Sequence, residues 1–460
     1  MDRKSWRVWI LVALAAALIM AVDIAGAEGG RTLKTKMPVP IRTRGINFDG
    51  PNTVETCVES TWTITKAGFA EAGCYYEYTI AIDDGSHPNG YYDTQYASAR
   101  TTSSSFRYTF YQPGQYCLFA YKYADADSEE SSDSITQLIT VTEGSGENAL
   151  MNAVAEAAAE CRMGNDFRTV EEINRYLCDL IKYDDTYTYY SPEAALLNGT
   201  GVCNSYSRAF ELIATACNLP CKRVTGTARG GGHAWNLVKM DGKWYQMDLT
   251  WNDTGGDRHL YFGLTDTLIG HDHSNMYIVG GDSIVCDAMD DNWFIYTGEW
   301  DTRLARSTKG DIQASIDAGA TLIEQTLDMI YVDTTSNSYY PKHDKFWLYG
   351  NILAYGYSQK IWAGPNGTLL KGPFVYDFDS STLSATLSAV SYEFRIDLPR
   401  NLTRIESEAF LNVAAEEIDI PDSVTFIGEN AFPSGVTLIV GSGSYAYEWA
   451  GENGFTPTVR

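Results

Sequence analysis

The sequence is poor in basic side chains: its 460 residues include 34 lysines and arginines against 59 aspartates and glutamates. The formal net charge is therefore −25 at pH 7. Such a chain repels nucleic acids and anionic membrane surfaces, and no basic stripe offsets that repulsion. We therefore predict no nucleic-acid partner. With 44% hydrophobic residues, the chain is nonetheless predicted to be globular rather than disordered.

Two further absences narrow the class of protein. No two cysteines have the Cys-x-x-Cys spacing that is typical of a zinc site. The only long apolar run extends from Val8 to Val22, and the C-terminus has neither a cell-wall sorting motif nor a hydrophobic tail. We therefore predict no metal, no cofactor and no stable membrane insertion after removal of a signal peptide.

Residues 1–27 have the pattern of a secretory signal peptide. Three basic residues precede the apolar run, and Ala25-Gly26-Ala27 supplies the small residues of a cleavage site before Glu28. A membrane anchor is the competing interpretation, but the run is shorter than the ~20 residues that a spanning helix needs. Cleavage would remove three basic and two acidic residues and leave a net charge of −26. We expect a secreted protein, either free or associated with the cell surface.

The nine cysteines are compatible with an oxidising compartment. Without Cys203, which is a candidate nucleophile, eight remain, and an even number permits disulfides without requiring them. A bridge between Cys57 and Cys117 or between Cys161 and Cys178 is possible. The alternative is that most of the thiols are free and buried, since a chain of this length does not need disulfides for stability.

Cys203 is the candidate nucleophile because it stands at the start of a predicted helix. Gly199 and Gly201 precede it, and apolar residues then recur at helical spacing until Pro220. A thiol with the ordinary pKa of about 8.5 is only a few per cent thiolate at neutral pH, so it needs a base or a positive field. The N–H groups at a helix N-terminus supply such a field and can hold an oxyanion.

A hairpin is predicted to bring His233 and Asp248 together. Asp241-Gly242 is a strong two-residue turn signal, and a two-residue loop places Met240 opposite Lys243. His233 and Asp248 are then diagonal neighbours on one face of the sheet, within reach of a hydrogen bond. The carboxylate would hold the imidazole in one tautomer and stabilise its protonated form. A three-residue loop would instead place the two side chains on opposite faces.

Three segments carry a resemblance to a known family. They are Gly199-Thr-Gly-Val-Cys203-Asn-Ser-Tyr206, Gly232-His-Ala-Trp-Asn236-Leu-Val and Trp244-Tyr-Gln-Met-Asp248-Leu-Thr-Trp251-Asn-Asp. These segments are similar to the three motifs of the transglutaminase-like superfamily. The resemblance implies a papain-like α+β catalytic domain over residues 147–375. It also implies that Cys203 is the nucleophile, His233 the general base and acid, and Asp248 the orienting residue. One departure is Asn204-Ser205, where bacterial members often have a glycine before the tyrosine.

The superfamily does not fix the reaction, because it includes cross-linking enzymes, peptidases, deglycosylating amidases and inactive relatives. We predict a secreted enzyme that attacks amide bonds of proteins, peptides or cell-wall peptides through a thioester on Cys203. Water would resolve the thioester in a peptidase or amidase, and an amine would do so in a transglutaminase. The lack of an amine-channel signature favours hydrolysis. The alternative is a non-catalytic extracellular binding or adhesion protein with a retired scaffold, and the complete Cys, His and Asp set argues against it.

The region before the catalytic motifs is predicted to be an all-β domain. Residues 45–143 contain runs of alternating polar and apolar side chains, separated by turn signals such as Pro113-Gly114. This pattern is typical of a β-sandwich, and it is similar to immunoglobulin-like modules of bacterial surface proteins. We expect the sandwich to act as a spacer or a binding domain.

The C-terminal region, residues 396–460, contains a short repeat. The apolar spacing from Leu398 to Phe410 recurs from Ile420 to Phe432, a shift of 22 residues. This period is that of a leucine-rich repeat, and the pattern is similar to repeats on bacterial surface proteins. Residues 445–460 would cap the repeats. The predicted fold class is thus multidomain, with a sandwich, an α+β catalytic domain and a leucine-rich-repeat segment.

Three smaller patterns are given structural interpretations. His271-Asp272-His273 contains two histidines, but without further ligands it predicts a hydrogen-bonded turn rather than a metal site. The tyrosines from Tyr183 to Tyr190 could line the substrate cleft or donate to an oxyanion, with aromatic packing as the alternative. A helix is predicted from Val170 to Lys182, capped by Thr169.

Overall fold

The computed structural model describes residues 48–65, 73–82, 93–128, 131–254, 257–304, 309–318, 324–326, 342–363, 369–371, 373–379, 384–389, 395–411, 413 and 415–460. The predicted signal peptide lies outside these residues and stays a prediction. No helix within the described ranges is long and apolar enough to cross a bilayer. The chain forms two compact units. The first contains the residues up to Thr250 and His273–Cys286, and the second contains Trp251–Asp272 and Asp287–Arg460.

The N-terminal part of the first unit is rich in β-structure, as predicted. Its strands are β1 (Phe48–Asp49), β2 (Thr53–Glu55), β3 (Glu59–Ile64), β4 (Tyr75–Ile82), β5 (Asp93–Ala97), β6 (Ser105–Thr109), β7 (Gly114–Tyr123) and β8 (Asp133–Thr142). They form two sheets, in the orders β1-β3-β6 and β2-β8-β7-β4-β5. Side chains from both sheets, including Trp62 and Ile80, share one buried core. The immunoglobulin-like character of this region stays a prediction.

The central part of the first unit combines helices and strands. In order along the chain, its elements are α1 (Ala149–Cys161), α2 (Asp166–Leu180), β9 (Lys182–Tyr183), α3 (Pro192–Asn198), β10 (Thr200–Gly201), α4 (Cys203–Ala216), β11 (Cys221–Ala228), β12 (Gly231–Met240), β13 (Lys243–Met247), α5 (Leu249–Thr254), β14 (Phe262–Leu264), α6 (Asp266–Ile269) and β15 (His273–Ile278). The last turns of α5, together with β14 and α6, belong to the second unit. Helices α1 and α2 pack against α4, the helix that begins at the predicted nucleophile.

The start of helix α2 differs from the prediction. The helix begins at Asp166 because the side chain of Asn165 accepts a hydrogen bond from the backbone N–H of Arg168. Thr169, which the sequence pattern indicated as the cap, lies inside the first helical turns. Its hydroxyl donates to the backbone carbonyl of Asn165. The sequence therefore contains two residues suited to capping, and the earlier one starts the helix.

The sheet of the central region confirms the predicted hairpin. Strands β13, β12, β11 and β15 are neighbours in this order, and all three pairings are antiparallel. Met240 lies opposite Lys243, and Asn236 lies opposite Met247. Asp241 and Gly242 both have positive φ angles, of 45° and 85°, which fits a tight turn whose central residues are left-handed. The two-residue loop thus sets the register that the sequence indicated.

The second unit contains the remaining elements. They are α7 (Trp293–Thr297), a π-helical turn (Trp300–Leu304), α8 (Lys309–Asp317), β16 (Glu324–Thr326), α9 (Lys342–Gln359), β17 (Ile361–Ala363), β18 (Leu369–Lys371), β19 (Phe374–Asp379), β20 (Ser384–Ala389), β21 (Arg395–Asp397), β22 (Arg404–Ile405), β23 (Glu417–Asp419), β24 (Phe426–Ile427), β25 (Thr437–Val440), α10 (Tyr445–Glu452) and β26 (Thr458–Val459).

Residues that are 22 positions apart face each other at the C-terminus. Strand β21 pairs with β23 and β22 pairs with β24, both in parallel, so that Ile396 lies opposite Ile418 and Ile405 opposite Ile427. Their side chains share a core with Ala446 of α10, the helix of the segment that was predicted to form a cap. The identification of these strands as leucine-rich repeats stays a prediction.

All nine cysteines are free thiols in the structure, and all nine lie among the described residues. Five are buried, namely Cys117, Cys161, Cys178, Cys217 and Cys286, and the other four are partly buried. Neither of the two bridges considered for the sequence is formed. The interpretation of the thiols as free and mostly buried fits this arrangement.

Candidate active site

Cys203 is the first residue of helix α4 and is partly exposed. The residue before it, Val202, has an extended backbone and offers no side-chain hydrogen bond to the first helical turn. The backbone N–H groups and the positive end of the helix dipole therefore act directly on the thiol and on any ligand beside it. This position provides donors for a developing oxyanion.

The two glycines before Cys203 have separate structural roles. Gly199 ends helix α3 in a left-handed conformation, with φ of 65°. Gly201 lies in β10, where a Cβ atom would come within 2.3 Å of the side chain of Ser205. The chain can thus turn from one helix into the next only with a very small residue at position 201. This close approach fixes where α4, and with it Cys203, begins.

His233 and Asp248 form the hydrogen bond that the hairpin register indicated. The Nε2 atom of His233 donates to Oδ2 of Asp248 over 2.7 Å. Both side chains are removed from solvent, with exposed fractions of 8% and 0%. His233 also forms a hydrogen bond with Cys203. Because Nε2 is engaged by the carboxylate, Nδ1 is the ring atom left to exchange a proton with the thiol.

The electrostatics of the site favour a charged imidazole. Burial by itself lowers the pKa of His233, but the negative charges of Asp248 and Cys203 and the hydrogen bonds to both outweigh it. Together they raise the pKa of His233 to about 10. Burial by itself raises the pKa of Asp248, whereas the charges and hydrogen bonds of His233 and His273 hold it well below its usual value. The arrangement therefore suits a protonated His233 beside an ionised Asp248.

His273 is a member of this cluster that the sequence pattern did not reveal. Its Nε2 atom donates to Oδ2 of Asp248 over 3.0 Å, and its side chain is completely buried. The contact arises because β15 pairs with β11, which places His273 opposite Ala228. His271, its neighbour in the predicted turn, instead stacks on Trp347. The interpretation of His273 as part of a simple turn was therefore wrong.

Three residues of the site, His233, Asp248 and His273, are also potential metal ligands. Each offers one ligand atom, and these three atoms lie within 4.8 Å of one another. Their hydrogen bonds, however, satisfy both Nε2 atoms and the shared carboxylate oxygen without an ion. The contacts are those of a hydrogen-bonded cluster.

Trp235 holds the two imidazoles in place. Its ring stacks on His233 with centroids 5.9 Å apart and meets His273 edge-on at 4.8 Å. The indole N–H donates to Oε1 of Gln246, on the neighbouring strand, over 2.8 Å. Trp235 is almost completely buried, so this packing is fixed by the sheet. Asn236, the residue after Trp235, connects this strand to α4. Its side-chain amide donates to the carbonyl of Ser207 over 3.0 Å.

A buried charge cluster involves Asn204, the residue that follows Cys203. Asp93, from strand β5 of the N-terminal sheets, accepts hydrogen bonds on both carboxylate oxygens from the side chain of Asn204, over 2.8 and 2.9 Å. It also accepts from Arg208 over 2.6 Å and from Arg223 over 3.2 Å. All four side chains are at least nine-tenths buried. In the Asn204-Ser205 departure from the family pattern, the amide of Asn204 thus anchors the start of α4.

Tyr190, a member of the tyrosine cluster, interacts electrostatically with Cys203. Burial, followed by the negative charge of Cys203, raises the pKa of Tyr190 well above its usual value. The backbone N–H of Tyr190 donates to the carbonyl of Gln95 in strand β5 over 3.0 Å. The segment before Cys203 is thus attached to the same strand that carries Asp93.

Comparison with known proteins supports a family relationship for the central region. Residues 153–249 match the family model described as the transglutaminase-like superfamily. Human kyphoscoliosis peptidase is 24% identical over 179 residues, which cover 34% of this chain and 25% of that protein. The mouse protein of the same name is 27% identical over 156 residues, which cover 30% of this chain and 21% of that protein. This chain therefore spans about a quarter of the length of these relatives.

Two solved structures are also similar in part. One is a TGase, with 22% identity, a TM-score of 0.20, and coverage of 24% of this chain and 32% of that chain. The other is a candidate cysteine protease from Cytophaga hutchinsonii, with 14% identity, a TM-score of 0.20, and coverage of 39% and 72% of the two chains. The overall superposition on both is poor.

Proposed function

We propose that this chain, whose residues 153–249 form a transglutaminase-like domain, is a thiol enzyme that transfers acyl groups from amide bonds of proteins or peptides. The observation that carries the proposal is the hydrogen bond of 2.7 Å between His233 and Asp248, with His233 also bonded to Cys203. Three residues of the right chemical types thus form one connected chain of hydrogen bonds. The roles of nucleophile, acid–base and orienting residue follow from this order.

In the first step, the Cys203 thiolate attacks the carbonyl carbon of the amide. The carbonyl electrons move to oxygen, and the oxyanion lies at the N-terminus of α4, where backbone N–H groups stabilise it. The His233 imidazolium then gives its Nδ1 proton to the departing amine as the carbon–nitrogen bond breaks. The products of this step are a thioester on Cys203, a neutral His233 and a free amine.

In the second step, neutral His233 takes a proton from the incoming nucleophile. Water attacks the thioester in a hydrolase, and a primary amine attacks it in a transglutaminase. The carbon–sulfur bond breaks, the acid or new amide leaves, and the thiolate–imidazolium pair is restored. We propose hydrolysis as the main outcome, because water is abundant and the sequence offers no amine-channel signature.

The acceptor can be determined by product mass. Glutaminyl peptides incubated with the protein should give a product that is 1 Da heavier per side-chain amide, or fragments that are 18 Da heavier in total. A primary amine added at high concentration would give the amide product if transfer dominates. An acyl adduct on Cys203, trapped by rapid acidification, should be visible by intact mass. Cys74→Ala serves as a matched control, since Cys74 is also partly exposed, and Cys203→Ala should abolish every product.

If a broad panel of peptides gives no product that depends on Cys203, the enzyme proposal fails. In that case, the alternative of a binding protein with a retired scaffold gains support.

The pH dependence of acylation should reveal the raised pKa of His233. The departing amine needs the His233 imidazolium as its proton donor. Burial lowers the pKa of His233, but the interactions with Asp248 and Cys203 outweigh burial and raise this pKa to about 10. We therefore expect kcat/KM on an amide substrate to fall only as the pH rises through about 10, whereas an unassisted histidine would give a fall near 6.5. Asp248→Asn should move this limb down by about one unit or more, because it removes the largest attraction. An alkaline limb near 6.5 in the wild type would contradict this ion pair.

We also propose that the protein works outside the cell, on exported proteins, peptides or wall components. The proposal rests on the signal-peptide pattern of residues 1–27. N-terminal sequencing of the protein from its natural source should begin at Glu28. A start at Met1 would contradict cleavage at this site.

A further inference from the structure

We propose that His273 is a positioning residue of the active site, which holds the Asp248 carboxylate in the orientation that His233 needs. This inference rests on the proposed function, because it assigns His273 a role in preparing the Cys203–His233 pair. His273 acts through Asp248, to which its Nε2 atom donates. It lies outside residues 153–249, the region that matches the family model.

The first argument is the shared acceptor. Both imidazoles donate to the same oxygen of Asp248, His233 over 2.7 Å and His273 over 3.0 Å. Two donors that approach one oxygen from different rings fix its position more firmly than one donor could. Asp248 needs this support because its carboxylate is completely buried, and a buried charge is costly unless it is hydrogen-bonded. His273 therefore supplies a donor that does not change during the reaction.

The second argument concerns the charge of Asp248. The side chain of Asp248 has no exposed area, so protein donors rather than water must balance its carboxylate. The Nε2 atom of His273 is such a donor, at 3.0 Å from Oδ2. His273 thereby helps to keep the carboxylate ionised as the acceptor that His233 needs.

The third argument is the rigid surroundings of His273. Its backbone pairs with Ala228 in β11, and its ring meets the edge of Trp235 at 4.8 Å. Trp235 is itself anchored to Gln246 and stacks on His233. The side chain of His273 is completely buried. A residue held in this way can transmit a fixed geometry to the carboxylate, which is the requirement for a positioning role.

The test compares two substitutions that separate hydrogen bonding from packing. His273→Gln keeps a donor near the position of Nε2, whereas His273→Phe keeps a ring of similar size without a donor. The measurement is the rate of alkylation of Cys203 by iodoacetamide at about pH 6, followed by peptide mass mapping. This reaction needs no substrate. At this pH an ordinary thiol is almost fully protonated, so rapid labelling reports the ion pair.

We expect His273→Phe to slow alkylation of Cys203 by about 10- to 100-fold. His273→Gln should remain within about threefold of the wild type, because the donor is retained. In an Asp248→Ala background, His273→Phe should have no further effect, since its influence passes through the carboxylate. Equal rates for His273→Phe and the wild type would overturn the inference. So would an undiminished effect of His273→Phe in the Asp248→Ala background, because His273 would then act by packing.

A second measurement covers the case in which His273→Phe does not fold. Nitrogen-15 NMR of the histidine side chains, assigned with His273→Gln, should show a proton on Nε2 of His273 that is hydrogen-bonded to Asp248. A proton on Nδ1 instead would overturn the inference. If Cys203 of the wild type reacts no faster than an ordinary thiol, the proposed function fails. The tautomer of His273 still decides whether it donates to Asp248.

Discussion

His233→Ala is expected to lower kcat for amide cleavage by about 10⁴- to 10⁶-fold. The variant lacks the group that gives a proton to the departing amine and takes one from water. It also leaves the thiol without its imidazolium partner, so Cys203 loses its reactivity near neutral pH. Steady-state kinetics on a peptide substrate would measure the loss, and alkylation of Cys203 at about pH 6 should slow in parallel.

The matched control for this variant is His271→Ala. His271 stacks on a tryptophan ring, Trp347, as His233 stacks on Trp235. Its replacement should change kcat by less than about threefold. Because His233→Ala leaves Asp248 with less support, His233→Gln provides a second variant that retains a donor near Nε2. A similar kcat for His233→Gln and the wild type would exclude His233 as the catalytic base.

Asp93→Ala is expected to reduce the free energy of unfolding by about 3–5 kcal/mol. Its carboxylate is the acceptor for Arg208 and Arg223, and it also binds the amide of Asn204. Without it, two buried guanidinium groups would lose the carboxylate to which both donate. Urea unfolding of purified variants would measure the change. Asp93→Asn should show a smaller loss, because one acceptor oxygen remains without the negative charge.

The control for Asp93 is Asp125→Ala, in the same N-terminal region. Asp125 is exposed, so its replacement should change the stability by less than about 0.5 kcal/mol. The two variants should also differ in the reactivity of Cys203. Asp93→Ala frees Asn204 at the start of α4 and should slow alkylation, whereas Asp125→Ala should not. Equal stability of the two variants would show that the Asp93 cluster contributes little.

The contact between His233 and Asp248 could be predicted because it depends on local structure. Fifteen residues separate the two side chains, and one turn of defined length determines their register. Asp241 and Gly242 both adopt left-handed conformations, which this turn requires and which these residue types tolerate. The position of Cys203 was predictable for a similar reason, since the glycines and the apolar spacing that fix the helix start are adjacent in sequence.

The contacts of His273 and Asp93 could not be predicted, because they depend on long-range pairing. His273 reaches Asp248 only after the chain has left the first unit and returned to add strand β15 beside β11. Asp93 lies 111 residues before Asn204 and belongs to a region that the sequence indicated only as a spacer or binding domain. Neither residue has a neighbouring motif that would indicate its partner. The fold is needed to bring these side chains together.

The discontinuous composition of the first unit determines how the chain can be divided. A fragment that ends at residue 249, where the family match stops, would retain Cys203, His233 and Asp248 but would lose strand β15. A fragment that begins after the N-terminal strands would lose Asp93 instead. The shortest continuous piece that contains all the described elements of the first unit therefore extends from the N-terminal strands to Cys286. It includes the excursion Trp251–Asp272, so no single cut separates the two units without dividing the hydrogen-bonded cluster around Asp248.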